Sequence, residues 1–147
     1  MLRNLSSRAC RGICLLLLAA ACSNPRSSES FAPADDCRFT LDLSDTTQTW
    51  DLSFYGRIDA SRDELDALPS LPLEVRFIAP DGTVYGETVT VPLHRDGPLS
   101  ASFSTPYRSR LAPAVPGIWE LSLTAPDAPD GLHGVGIILE NHDHGSR

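Results

Sequence analysis

The sequence predicts an all-β domain: an antiparallel β-sandwich of about seven strands with one short helical crossover, preceded by an N-terminal leader and a flexible tether. Apolar side chains recur at every second position in seven separate runs, the period of a strand with one face in a core and the other in water. Pro80-Asp81-Gly82, Asp96-Gly97-Pro98 and Pro116-Gly117 stand between those runs, where Pro pre-sets φ and Gly admits positive φ for a chain reversal.

In chain order the leader comes first. Arg3, Arg8 and Arg11 precede or flank a nine-residue apolar run, Ile13 to Ala21. As a helix that run would rise about 14 Å, roughly half a hydrocarbon core, so it reads as the apolar region of a secretory signal. Leu18-Ala19-Ala20-Ala21-Cys22 resembles a bacterial lipobox, with Leu one step earlier than the usual pattern. In such signals the cysteine sulfur, nucleophilic enough to form a stable thioether, takes a diacylglycerol. The chain is then cut before it and the new amino terminus is acylated. Residues 1–21 are therefore expected to be a lipoprotein signal peptide and Cys22 the lipidation site. Two or three acyl chains, at roughly 0.8 kcal/mol per buried methylene, would anchor the chain to a membrane for good.

Residues 22–34 read as a lipid-anchored flexible tether. Ser23 to Ala34, SNPRSSESFAPA, is rich in Ser, Pro and Ala and has no periodicity. Twelve flexible residues reach roughly 20 Å, enough to hold a domain clear of lipid headgroups. Ser23 is not the Asp that retains many lipoproteins in the inner membrane, and no acidic run follows Cys22. By analogy, the expected location is the outer membrane, with the domain facing the periplasm.

The sandwich is expected over residues 35–140. Its strand signals are Phe39-Leu41-Leu43, Trp50-Leu52-Phe54, Leu71-Leu73-Val75-Phe77, Val89-Val91-Leu93, a weaker Leu99-Ala101-Phe103, Trp119-Leu121-Leu123 and Val135-Ile137-Leu139. Pro72 and Pro92 cannot donate to a ladder, which puts them at sheet edges or strand ends. Between the second and third runs, Ser61-Arg62-Asp63-Glu64 spells a capping box, followed by Leu65 and Leu68. This predicts a turn or two of helix crossing between sheets. Residues 141–147 read as a disordered tail.

Composition narrows the function. All twelve basic residues are Arg, a bias of the kind a GC-rich genome imposes. From Cys22 onward nine Arg face nineteen Asp and Glu, a net charge of about −10. With no basic stripe, nucleic acid is excluded as an expected partner. Cys10 and Cys14 lie in the leader and Cys22 is consumed by lipid. Cys37 remains alone, which excludes a disulfide framework within one mature chain. It is expected to be a small buried side chain at a strand start.

Candidate chemistry is sparse. The sequence has no Gly-x-Ser-x-Gly, His-Glu-x-x-His, P-loop or dinucleotide fingerprint, so no catalytic residue, enzyme activity or cofactor is expected. Gly134-Val135-Gly136 lies in a strand-like run, where glycine permits a bend or close packing. His142 and His144 share a face in an extended segment, but His94 and His133 are not brought near by sequence, and a zinc site needs three or four ligands. The acidic groups Asp35-Asp36, Asp63-Glu64-Asp66 and Asp127/Asp130 lack calcium-loop spacing. No metal is expected. Trp50, Trp119, Tyr55, Tyr85 and Tyr107 could form a platform for sugar rings, although both Trp fall in phase with core aliphatics.

Several stretches together resemble a known group. They are Trp50-Asp-Leu-Ser-Phe-Tyr-Gly-Arg57, Leu73-Glu-Val-Arg-Phe-Ile-Ala-Pro-Asp-Gly-Thr83, Pro116-Gly-Ile-Trp-Glu-Leu121 and Gly134-Val-Gly-Ile-Ile-Leu-Glu140. With the lipobox, this layout is similar to the gliding-motility lipoproteins of Bacteroidota, the group called GldH, over about residues 37 to 140. The aromatic-rich Tyr-x-Tyr-Ser-Asn-Leu stretch of that group is missing, and an acidic helical segment stands at 59–70 instead. The resemblance implies a non-catalytic accessory subunit that docks on envelope proteins of a gliding-motility or secretion assembly, and it brings no active-site residues. The alternative is a stand-alone glycan- or peptide-binding sandwich. An exposed apolar patch on one sheet would favour docking. A concave groove lined by Tyr55, Tyr85 or Tyr107 with carboxylates beside it would favour the binding module.

Overall fold

The computed structural model describes residues 27–143. Among them are nine strands and one helix, in the order β1 (Ser27–Pro33), β2 (Arg38–Asp42), β3 (Gln48–Asp59), α1 (Arg62–Asp66), β4 (Ser70–Ile78), β5 (Val84–Pro92), β6 (His94–Gly97), β7 (Ser100–Leu111), β8 (Ile118–Thr124) and β9 (Leu132–Asp143). They form two antiparallel sheets, β1-β9-β3-β7-β6 and β2-β8-β4-β5. The architecture is the all-β sandwich expected.

The period-two runs supply the core between the sheets. From the first sheet come Leu52, Phe54, Ile58, Ala101, Phe103, Val135 and Ile137, all buried. From the second come Leu41, Leu71, Leu73, Val75, Val91, Leu121 and Leu123. Most inward side chains alternate with outward polar ones, as in Leu73-Glu74-Val75-Arg76 and Leu121-Ser122-Leu123, and this sets the register: a one-residue slip would turn a strand's apolar set into water. The helix crosses from β3 in one sheet to β4 in the other. Ser61 caps it as the spacing predicts: its Oγ accepts from the Glu64 backbone N–H, and the Ser61 N–H donates to Glu64 Oε2 at 2.9 Å. Leu65 is its buried residue.

Two boundaries differ from expectation. Residues 27–33, read from sequence as tether, are strand β1, paired with β9 from Ser27 opposite Glu140 to Pro33 opposite Gly134. Its Ser-rich segment has no alternation to read, because β1 is an edge strand held by main-chain pairing and buries only Ala32. Residues 141–143, read as tail, continue β9, with His142 opposite Thr49 and Asp143 opposite Gln48. The leader, Cys22 and residues 144–147 lie outside the described residues.

Each of the seven expected runs coincides with a strand, with Leu43, Leu93 and Leu99 lying one residue beyond the strand ends, and β1 and β6 are additional. The four-residue β6 is too short to show a period. Pro92 ends edge strand β5 as expected. Pro72 instead lies in β4, an inner strand. It faces Thr90 of β5, but pairing with β8 begins only at Glu74, so its missing N–H interrupts no bond on that side.

Glycines admit close approach in β9, as their place in a strand implied. A Cβ built on Gly136 would sit 2.0 Å from the Tyr55 ring, and one on Gly134 would sit 2.2 Å from the Ala32 carbonyl oxygen and 2.7 Å from the Phe31 ring. The rings of Tyr55 and Phe31 thus cover the bare backbone on the outer face of the first sheet, with centroids 6.3 Å apart.

Candidate binding groove

The sheets part at one end of the sandwich, between edge strand β5 and strand β7. Three local features open this end. Pairing of β3 with β7 shifts register between Trp50 and Ser53, opposite Pro106, which has no N–H to give. Farther on, Arg110 takes a left-handed φ of 53°, and its N–H donates to Asp51 Oδ1 at 2.7 Å. The Asp51 carboxylate is also 3.1 Å from His142 Nε2. The chain then swings across from β7 to β8 through Ala112-Pro113-Ala114-Val115. The Trp119 indole N–H holds that crossing by donating to the Val115 carbonyl at 2.9 Å.

Below this crossing lies a groove of about 680 Å³, lined mainly by Leu43, Phe77, Tyr85, Tyr107, Leu111 and Trp119, with Glu87 and Arg108 on its wall. Its aromatic content follows from register. Phe77 and Tyr85 are directly opposite on β4 and β5, and Leu121 lies opposite Phe77 on β8. Trp119, two residues before Leu121, therefore shares their inner face. From the other sheet Tyr107 stacks on Phe54 at 4.6 Å and on Phe77 at 6.1 Å. Phe77 meets Trp119 edge-on at 6.5 Å, and Trp119 stacks with Tyr85 at 5.9 Å. A continuous row of rings runs from fully buried Phe54 to half-exposed Tyr85.

The polar part of the wall is one linked cluster. Glu87 accepts from the Tyr107 hydroxyl and from Arg108 Nη2. The Arg108 guanidinium also sits 4.4 Å above the Tyr107 ring, a cation–π contact. The hydrogen bond from Tyr107, aided by Arg108, holds Glu87 below the usual carboxylate range. Burial, reinforced by that same bond, pushes the Tyr107 hydroxyl well up. The groove thus offers an ionised acceptor, a fixed guanidinium and a broad apolar floor.

The remaining candidates lie elsewhere. Tyr55 is on the outer face of the first sheet, and burial beside Glu29 pushes its hydroxyl up to about 12. Trp50 is a core residue, and Trp119 is buried with one edge forming groove floor. Cys37 is buried at the start of β2, its thiol 3.0 Å from the Pro33 carbonyl, and burial pushes its pKa up. His133 Nε2 is 2.7 Å from Asp59 Oδ2, and His142 lies against Asp51. No group of three His, Cys, Asp or Glu that could hold a metal occurs among the described residues.

Sequence reading had not singled out Glu87 or Arg108. Glu87 did carry a signal: in Tyr85-Glu87-Val89-Val91 a carboxylate occupies the inward phase, opposite buried Val75. Arg108 and the 111–115 crossing carried none, since the bulge at Pro106 and the turn at Arg110 arise from pairing with β3. The chain matches no family model, and no curated protein matches it at a significant level.

Proposed function

We propose that the protein is a non-catalytic, lipid-anchored envelope lipoprotein whose sandwich binds a glycan or short peptide in the groove between β5 and β7. Cys22 carries the lipid, and the domain belongs on the periplasmic side of the outer membrane. The observation that carries the binding role is Tyr85 presented half-exposed on Trp119, beside the Tyr107–Glu87–Arg108 cluster. Specific pockets combine such an apolar floor with a few fixed polar groups that set orientation. An aromatic face suits the C–H face of a sugar ring or an apolar side chain, while Glu87 and Arg108 meet hydroxyls or amides. Glu87 is held ionised by its donors, which suits an acceptor rather than a proton donor.

A second reading, the accessory subunit docking on a gliding-motility or secretion assembly, draws on the exposure of Val84, Tyr85 and Ile118 near the same groove. Glycan and peptide arrays probed with the Cys22→Ser protein, with Tyr85→Ala in parallel, separate the two. The binding role predicts a retained ligand class whose affinity falls about 10-fold or more in Tyr85→Ala. Arrays without signal, alongside envelope proteins crosslinked to the wild type, would favour docking.

A further inference from the structure

The groove end of the sandwich is also the end from which the chain would run back to its lipid. The antiparallel registers put the start of β1 beside the end of β9 (Ser27 opposite Glu140) and the start of β3 beside Asp143. The end of β7 lies there too, with Leu111 opposite Trp50. In the other sheet the end of β2 meets the start of β8 (Asp42 opposite Ile118), and the β4–β5 hairpin closes at Ile78 and Val84. The sheets are joined at this end by the short connection from Asp42 to Gln48, and Leu43 N–H donates to the Gly117 carbonyl at 2.9 Å.

Only Ser23, Asn24, Pro25 and Arg26 separate Cys22 from Ser27. Five covalent steps span at most about 17 Å. A headgroup layer is itself roughly 5–8 Å thick. Even fully extended, this link clears the headgroup layer by no more than about 9–12 Å, so the domain is held close to the surface.

Exposed apolar side chains occur where contact would follow. Val84 and Ile118 are each about half exposed, at 50% and 51%, on the outer face, and Tyr85, next to Val84 but turned to the inner face over the groove, is 49% exposed at the same strand end. Ile78 pairs with Val84 on one side and with Glu120 on the other, so Ile118, two residues before Glu120, extends the same outer face. Tyrosine suits a membrane interface, its ring in the apolar boundary and its hydroxyl in water. Asp42, Asp45 and Asp81 surround this lip, each held below the usual carboxylate range by hydrogen bonds from the residue two places on. Their charge disfavours an anionic surface.

We infer that the end of the sandwich bearing Val84, Tyr85 and Ile118 is a membrane-facing surface that rests on zwitterionic lipid headgroups. This rests on lipidation of Cys22. It carries a consequence for the groove, whose ligand would enter from the layer next to the membrane.

The test uses the lipidated full chain in phosphatidylcholine vesicles doped with lipid-borne quencher. An environment-sensitive fluorophore is placed at Ile118→Cys, at Val84→Cys or at Leu99→Cys. Leu99 is at least as open to solvent but precedes β7, whose last residue, Leu111, lies at the groove end, so it stands at the opposite end of the sandwich. Buried Cys37 is left in place. Flotation of the vesicles reports anchoring independently. The expected result is flotation, with quenching several-fold stronger at 118 and 84 than at 99. Flotation with equal quenching at all three positions would overturn the membrane-facing lip while leaving the anchor intact. Failure to float would overturn the anchor and the lip together.

Discussion

Tyr107 of β7 and Phe77 of β4 stack across the two sheets, centroids 6.1 Å apart and planes within 14°. The contact closes the core at the groove end, and the same tyrosine carries its hydroxyl out to Glu87. Truncation and removal of the hydroxyl should therefore separate. Tyr107→Ala should cost about 2–3 kcal/mol, somewhat below the range for a fully buried aromatic. Tyr107→Phe, which keeps the stack, should cost about 1 kcal/mol or less. Urea unfolding checks both, and equal costs would mean that the hydrogen bond, not the ring, secures this end.

Glu87 has a defined pH signature. Its folded pKa is depressed below the ordinary 4.5, first by the Tyr107 hydroxyl and then by Arg108. A depressed carboxylate stabilises the fold above its unfolded pKa, and that stabilisation is lost as pH falls through the folded value. The advantage of the wild type over Glu87→Gln should be complete at neutral pH, begin to fall near pH 4.5 and be lost once pH drops below the depressed folded value. Because the pair is partly exposed, it should amount to under about 1 kcal/mol. Unfolding curves across that range are the check. A difference that grew toward acid pH would contradict the assignment.

Gly134 and Gly136 should tolerate a methyl group differently. At Gly136 the obstacle is the far end of the Tyr55 side chain, which can swing outward. At Gly134 it is the Ala32 carbonyl, at a φ of 155°. Gly136→Ala should cost about 1 kcal/mol and Gly134→Ala about 3 kcal/mol, within the range for overpacking. Denaturant midpoints would rank them, and the reverse order would refute the packing described.

Cys37 should be silent toward thiol reagents in the folded protein. Its sulfur is buried against the Pro33 carbonyl, and burial raises its pKa, so little thiolate is available. Titration with a disulfide reagent should leave Cys37 unmodified in the native protein and modify it after unfolding. Rapid native reaction would show that the loop before β2 opens.

The strands that face a core on one side were legible because burial writes a period of two into the sequence. Leu71-Leu73-Val75 and Trp119-Leu121-Leu123 announce themselves. The helix was legible from its cap, since Ser61 and Glu64 satisfy each other's backbone donors wherever the chain lies. Strand β1 was not, because main-chain bonds to β9 hold Ser27-Ser28-Glu29-Ser30 and leave no side-chain pattern. For the groove, Tyr85 and Tyr107 could be proposed from sequence, while their meeting required the register of β4 on β5 and the bend of β7. Tyr55, equally plausible as a residue type, pairs opposite Gly136 and so covers the outer face instead.

The most direct test of the groove as a binding site is the fluorescence of Trp119, which forms part of its floor beneath Tyr85. In a Trp50→Phe background it is the sole indole of the chain. Titration with a ligand retained on the arrays should give a saturable change in its emission, and Tyr85→Ala should weaken the response about 10-fold or more. Binding that saturates by another readout while Trp119 emission stays fixed would place the ligand elsewhere and contradict the account.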